Sequence, residues 1–310
     1  MKNNYEHGSL DSYLDVDSLT FPLDCKFVFG NDHPLDIEIG FGTGEYLIRL
    51  ASAEPLVNFI GFDQAPKRVI KTLRKIHQGE AKNIRVLELD AVWGFEYLLM
   101  SQSVRKVHCL FPCPWPKKRH AKHRLFQSQV LKLINNRLEH QGILRIVTDQ
   151  KPYVEWIMEQ LADTGFEAEQ SIVGPAYQTK FEKKWQAAGQ EEFYALDLHK
   201  NKHIQISLKE MEPVRTYFAK EFFPDQVSFV DQSGPVTIKF HELIYDSLQK
   251  KGMVHAIITE DRKTQYLWIM IVHTTRGWCV GAAPGTAALP TEGVRKAIAL
   301  AYEAVEQSKK

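Results

Sequence analysis

From Leu35 to Leu198 short apolar runs take turns with amphipathic stretches, and this alternation constrains the fold more than any other property of the 310-residue chain. Leu35–Gly40 predicts a buried strand and Glu45–Ala53 a helix. Val57–Phe62 predicts a second strand, and Pro66–Gln78 a helix opened by its proline. Ile84–Leu89, Val107–Phe111 and Ile143–Val147 supply three further strands. Arg124–Glu139 predicts a long amphipathic helix ended by His140-Gln141-Gly142, and Pro152–Thr164 another stopped by Gly165. Strand and helix in alternation give an α/β domain with a doubly wound, mostly parallel sheet. Ligands bind such sheets beyond the carboxyl ends of the strands, so the residues just after each strand are the ones to read for chemistry.

The first of these positions is Glu38-Ile39-Gly40-Phe41-Gly42-Thr43-Gly44-Glu45. Gly40, Gly42 and Gly44 let the backbone turn sharply and approach a ligand, and the following helix offers free N–H groups. A dinucleotide fingerprint needs G-x-G-x-x-G. Here the third glycine comes one residue early, and Glu45 would face a pyrophosphate unfavourably. An acid at Glu38 suits a cationic methionine group instead. The second strand ends in Asp63, placed to accept from ribose hydroxyls, and the third in Asp90-Ala91, placed to accept from an adenine amino group. Three successive strand ends carrying Glu38, Asp63 and Asp90 favour S-adenosylmethionine over NAD.

The fourth strand runs into Phe111-Pro112-Cys113-Pro114-Trp115-Pro116, followed by Lys117-Lys118-Arg119-His120-Ala121-Lys122-His123-Arg124. The prolines stiffen the loop and Trp115 offers a flat face for a base. The whole chain carries a net charge of only +1, so a nucleic-acid partner must be met by a local patch such as this one. The four cysteines, Cys25, Cys109, Cys113 and Cys279, form neither a C-x-x-C pair nor a metal-ligand spacing, so reduced thiols and no metal are expected. The polar N-terminus and the absence of a long apolar run predict a soluble, cytoplasmic protein. No residue pattern indicates an oligomeric state.

Four segments together resemble the bacterial-type tRNA (guanine-N7-)-methyltransferase family: FGNDHPLDIEIGFGTGE, FPCPWPKKRHAKHR, Thr148-Asp149 and Thr179-Lys180-Phe181-Glu182. They occur in the family's order over residues 20–199; the proline–tryptophan–basic and TKFE motifs are specific, the glycine loop is not. The resemblance implies a Rossmann-like, S-adenosylmethionine-dependent methyltransferase fold and methylation of guanine 46 in the variable loop of tRNA. It implies cofactor contacts at Glu38, Asp63 and Asp90, and substrate contacts at Lys117, Asp149, Thr179, Lys180, Phe181 and Glu182. Read without it, Asp149 is a helix N-cap and TKFE an ordinary charged loop.

The chain departs from the family at Cys113, where an Asp assigned a catalytic role is usual. Guanine N7 carries an exposed lone pair and needs no deprotonation. Catalysis is therefore mostly in-line alignment, and an acid would position the base and stabilise developing charge. A tolerated replacement, a catalytically impaired tRNA-binding relative and a thiol with its own role all stay open.

The expected domains are an N-terminal segment at 1–30, the methyltransferase domain at 31–200 and an α+β accessory domain at 201–310. The last shows strand runs at Val236–Phe240, Val254–Thr259 and Gln265–His273 and a helix from Thr291 to Gln307. It reads either as a stability or oligomerisation module or as an RNA-contacting surface. The second reading rests on Lys250-Lys251, Arg262-Lys263 and Arg276 with Trp278 nearby.

Overall fold

A computed structural model describes residues 10–79, 81–207, 211–260, 263–286 and 288–308, without the side chain of Lys118. Residues 1–9 and Arg262 lie outside the described residues. The chain divides into two compact units, Met1–Leu14 with Thr20–Lys209, and Asp15–Leu19 with Glu210–Lys310.

In the first unit a short helix α1 (Cys25–Phe29) leads into β1 (Leu35–Ile39), α2 (Glu45–Ala53), β2 (Asn58–Asp63), α3 (Pro66–Gly79) and β3 (Ile84–Glu88). There follow α4 (Ala91–Trp93), β4 (Val104–Leu110), α5 (Ser128–Arg137), β5 (Leu138–Thr148), α6 (Lys151–Glu159), β6 (Phe166–Val173), α7 (Lys180–Ala187) and β7 (Phe193–Lys200). The seven strands lie in the order β3-β2-β1-β4-β5-β7-β6. Strands β1 to β5 are parallel, whereas β6 and β7 pair antiparallel. Strands β1 and β2 are buried along their whole length in a sheet covered on both faces, Asp36 and Glu38 of β1 included. Ile37, Phe59, Ile60, Leu87, Val107 and Ile146 are fully enclosed, each worth roughly 1.5–3 kcal/mol of burial. The strand order reverses between β1 and β4. The crevice for a ligand therefore opens beyond the ends of these two strands.

Two expected boundaries move. The helix predicted from Arg124 begins at Ser128, because Arg124 turns back onto the preceding loop and Phe126 is buried as coil. The same helix stops at Arg137, where Asn135, Asn136 and Arg137 are all buried. Their side chains donate to the carbonyls of Gly165, Lys202, Ile204 and Phe95. His140-Gln141-Gly142 is consequently an irregularity inside β5, with Gln141 in the left-handed region, rather than a helix stop. Tyr13 bridges Val86 and the Leu14 N–H donates to the Val86 carbonyl, so residues 13–14 extend the edge beside β3.

The second unit holds β8 (Tyr217–Ala219), β9 (Val236–Asp246), β10 (Lys251–Glu260), β11 (Lys263–Thr274), β12 (Gly277–Ala282) and α8 (Glu292–Gln307). The sheet is antiparallel in the order β8-β12-β11-β10-β9. Its inner face, including Ile238, Val254, Ile258, Leu267, Ile269 and Val280, packs with Val294, Ala297, Ile298, Ala301 and Val305 of α8. Trp278 belongs to this core, so it is not available as a stacking partner beside Arg276. Arg276 instead lies 4.1 Å over the Phe218 ring. The more exposed rings are on the other face, where His255 contacts Tyr266 and Trp268. Among the described residues no helix is long and apolar enough to cross a membrane.

Candidate active site

At the end of β1 the chain turns through Gly40, Gly42 and Gly44, all in the left-handed region that side chains resist. A Cβ at Gly44 would meet the Thr72 side chain at 2.5 Å, so this glycine lets α2 start directly against α3. A Cβ at Gly40 or Gly42 would meet nothing within 4 Å, so these two face open space. Asp63, at the end of β2, accepts from the Gly42 N–H at 3.0 Å and from the Ala65 N–H at 2.9 Å. One acidic strand end therefore staples the glycine loop. Asp90 is the N-cap of α4, accepting from Val92 N–H at 2.8 Å and from the Gln64 amide at 2.6 Å, with Ala91 buried behind it. Gln64 and Asp90 thus tie the second strand end to the third.

Glu38 differs from the other two acids. It is 3% exposed, and its Oε2 has no hydrogen-bond partner among the described residues. Burial, reinforced by the charges of Glu45 and Asp63 and opposed by Arg49, pushes its carboxyl up to about 8. Glu45 is already satisfied by Lys75 at 2.6 Å and by Thr43. A buried, unpartnered carboxylate beside an open glycine loop is a receptor for a cation. Its acceptor oxygen suits the ammonium, and its negative charge when ionised the sulfonium, of S-adenosylmethionine.

Next to β1, strand β4 carries the stiff loop. Its first residue, Phe111, has φ 52° and is held by donation to the Val147 carbonyl and an edge contact with Phe193. Trp115, φ 44°, is 37% exposed, with the imidazoles of His120 and His123 at 5.8 and 5.2 Å. Left-handed non-glycine residues cost free energy and persist only where the surroundings enforce them. Cys113 and Lys117 are exposed, as are Arg119, Lys122 and His123. The run Lys118–His123 forms a short 3-10 helix rather than open loop.

The TKFE segment is a helix start, not an ordinary loop. Thr179 is the N-cap of α7 and accepts from the Glu182 N–H at 3.1 Å. Glu182, 1% exposed, turns back so that its carboxylate accepts from the N–H groups of Ala176, Tyr177 and Gln178. The spacing is that of a capping box, a signal present in the sequence. The Glu182 carboxylate therefore organises residues 176–178. Lys180 and Phe181 remain exposed for a ligand, Phe181 at 46%. Asp149 is not the N-cap of α6; that position is Gln150, whose side-chain amide donates to Asp149 at 2.6 Å.

Sequence reasoning overlooked the residues that join the two sides. Arg49 of α2 donates to the Ala176 carbonyl at 2.6 Å, and the Tyr46 and Tyr177 rings meet edge-on at 5.5 Å. Tyr46 also hydrogen-bonds His108 at 3.2 Å, while Arg145 reaches the Tyr177 hydroxyl at 3.1 Å and Asp197 at 2.7 Å. Glu38, His108, Arg145 and Asp197 stand in register across β1, β4, β5 and β7. The helix after the glycine loop is thereby fastened to the loop that precedes α7. Polar residues alternating within otherwise apolar strands were the available signal.

The family model described as "Putative methyltransferase" matches residues 32–195. A tRNA (guanine-N(7)-)-methyltransferase of Chlorobium phaeobacteroides is 42% identical over 171 residues, 55% of this chain and 84% of the relative. A protein of the same name from Aquifex aeolicus is 29% identical over 279 residues, 85% of this chain and 91% of the relative. That match cannot fit within the first unit, so the relative shares sequence with the second unit as well. Among solved structures, an antibiotic-related methyltransferase aligns with a TM-score of 0.48 at 15% identity, over 60% of this chain and 98% of that chain.

Proposed function

The chain belongs to the tRNA (guanine-N7-)-methyltransferase family, and from that premise we propose that it transfers a methyl group from S-adenosylmethionine to N7 of guanine 46 in the variable loop of tRNA. The observation that carries this reading is the adjacency of β1 and β4 at the point where strand order reverses. The glycine loop with the unpartnered Glu38 carboxylate and the tryptophan–basic loop leave the sheet from neighbouring strand ends. A cationic donor and a nucleobase are thus given adjoining sites.

When bound, S-adenosylmethionine supplies a methyl group activated by the positive sulfur. Glu38 receives the charge, and Gly40 and Gly42 leave room for close backbone approach. Asp63 and Asp90, with Ala91 packed behind, would hold the ribose and adenine, each with acceptor capacity left beyond its internal bonds. Trp115 stacks on a base, and Lys117, Arg119 and Lys122 take phosphates. Lys180, Phe181 and Asp149 bound the opposite side of the substrate, with Thr179 as the cap of the helix that carries Lys180 and Phe181. N7 would attack the methyl carbon with its own lone pair as the sulfur–methyl bond breaks and the neutral thioether leaves, so no residue has to remove a proton first. The work left to the protein is alignment.

Incubation with unmodified tRNA and labelled S-adenosylmethionine, followed by mapping of the product, is expected to give N7-methylguanine at one variable-loop position. No N7-methylguanine at saturating cofactor overturns the reading. Cys113 is exposed, so a carboxylate there would act through partly screened charge. Cys113→Asp is therefore expected to raise kcat by about fivefold, the equivalent of about 1 kcal/mol at the transition state. An unchanged kcat would mean that alignment alone carries the step.

A further inference from the structure

We propose that Arg124 is a positioning residue that clamps the Phe111–Pro116 loop in its reactive shape, rather than one of the cations that bind RNA phosphate. The proposal rests on the tRNA methyl-transfer reading for its kinetic consequences but not for its geometry.

In sequence Arg124 closes a basic run and looks like its other members. In the structure it is half-buried, and two of its five N–H donors are directed at the loop itself. Nε donates to the Pro114 carbonyl at 3.0 Å and Nη2 to the Trp115 carbonyl at 3.2 Å. The guanidinium carbon Cζ lies over the Trp156 ring, 4.8 Å from its centroid, and 5.8 Å from that of Tyr153. Those two rings stack on each other in α6, and Tyr153 is fully buried, so the clamp is rooted on a rigid helix. Its target is the strained part of the loop, since Trp115 has φ 44° and sits between prolines at 114 and 116. Two donors aimed at consecutive carbonyls hold those peptide groups in the orientation that a left-handed Trp115 requires. On the far side, Gln127 Nε2 donates to the carbonyls of Lys122 at 2.8 Å and Arg124 at 3.2 Å, closing the other end of the basic run.

Lysine cannot replace arginine here. A single ammonium lacks the planar fork that donates to two carbonyls while stacking on an indole. A phosphate contact, by contrast, would tolerate lysine, because charge alone supplies most of it. Arg124→Lys therefore separates the two roles, and it also leaves the number of tryptic sites unchanged.

The experiment compares wild type, Arg124→Lys, Arg124→Ala and Trp156→Leu, each first shown to keep a cooperative thermal transition. Limited trypsin digestion of the protein alone reads the loop. Cleavage between residues 117 and 122 is expected to accelerate about tenfold or more in all three variants. Salt titration of tRNA binding reads phosphate contacts. The slope of log K against log salt is expected to stay at the wild-type value in Arg124→Ala, whereas Lys122→Ala flattens it by about one. In methyl transfer, kcat is expected to fall about tenfold or more in Arg124→Lys with little change in KM for tRNA. Wild-type cleavage rates in Arg124→Lys and Trp156→Leu, or a flattened salt slope in Arg124→Ala, overturn the proposal. A wild type that neither binds nor methylates tRNA fails the functional reading, and digestion still decides the clamp.

Discussion

Replacing Glu38 with glutamine is expected to weaken S-adenosylmethionine binding at least about a hundredfold and, at the same time, to stabilise the cofactor-free protein above neutral pH. Both effects follow from one oxygen atom. The Glu38 carboxyl is enclosed, lacks a partner on Oε2 and is held up to about 8 by burial. In the unfolded chain the same group ionises near 4.5. Between these values the folded protein holds a proton that the unfolded chain has released, so stability falls as pH rises from about 4.5 to about 8. Each pKa unit corresponds to about 1.4 kcal/mol, which makes the loss a few kcal/mol. Glutamine keeps the shape and removes the titration. Denaturant unfolding at pH 5 and pH 8 should show wild type losing stability and Glu38→Gln holding it; equal losses in the two would sink the idea. A cationic ligand selects the ionised form, so its binding to wild type should release protons and tighten by up to tenfold per pH unit until about pH 8. Titration calorimetry in buffers of different ionisation enthalpy measures that release. Glutamine offers no charge to the ligand, and at about 1.4 kcal/mol per tenfold a hundredfold loss corresponds to an interaction of about 3 kcal/mol.

The positions that carry this prediction were legible because the fold around them is dictated by elementary constraints. β1 and β2 are buried on both faces and carry the apolar signal in Leu35, Ile37, Ile39, Phe59, Ile60 and Phe62, and the glycines must supply left-handed backbone. An acid at such a strand end therefore stands out. What the sequence concealed was the disposition of the other acids. The strand ends alone place Asp63 to accept from ribose hydroxyls and Asp90 from an adenine amino group, and say nothing of internal partners. Both spend part of their capacity on Gly42, Ala65, Val92 and Gln64, a partition that depends on loop geometry. β6 went unread for a different reason. It is an edge strand with most of its side chains in water, so no hydrophobic period marks it.

Charge misled where composition stood in for geometry. The run from Lys117 to Arg124 looks uniform, yet Lys117, Arg119 and Lys122 are exposed while Arg124 bonds its own chain. Arg276 and Trp278 are two residues apart, yet Arg276 lies in the turn before β12 and reaches the Phe218 ring, while Trp278, inside β12, enters the core. Side chains two residues apart in a helix turn, or adjacent in a strand, do not share a surface, and only the element assignment reveals it.

The second large effect belongs to Glu182, which the resemblance presents as a substrate contact and the structure places under the loop. Glu182→Gln is expected to lower kcat/KM for tRNA by about a hundredfold or more while leaving affinity for S-adenosylmethionine within about threefold. Its carboxylate accepts from three consecutive N–H groups at residues 176 to 178, and Gln178 is left-handed at φ 55°. A glutamine presents one acceptor and turns an NH2 group toward donors, leaving at least one amide unsatisfied and another repelled. An unmet buried hydrogen bond costs about 1–3 kcal/mol. The loop relieves that cost by opening to water, because Ala176 and Gln178 lie at the surface. Opening releases Arg49 from the Ala176 carbonyl and Tyr177 from Arg145, and with them the start of α7 that presents Lys180 and Phe181. Misplacement of substrate-bounding groups by about 1 Å is enough for a hundredfold loss. The cofactor side is spared because the bonds of Gly42, Asp63 and Asp90 do not pass through this loop. Hydrogen exchange should show amides 176–178 losing protection in Glu182→Gln while those of β1 and β2 keep theirs. A variant that retains both protection at 176–178 and kcat/KM within about threefold of wild type would return Glu182 to the substrate surface.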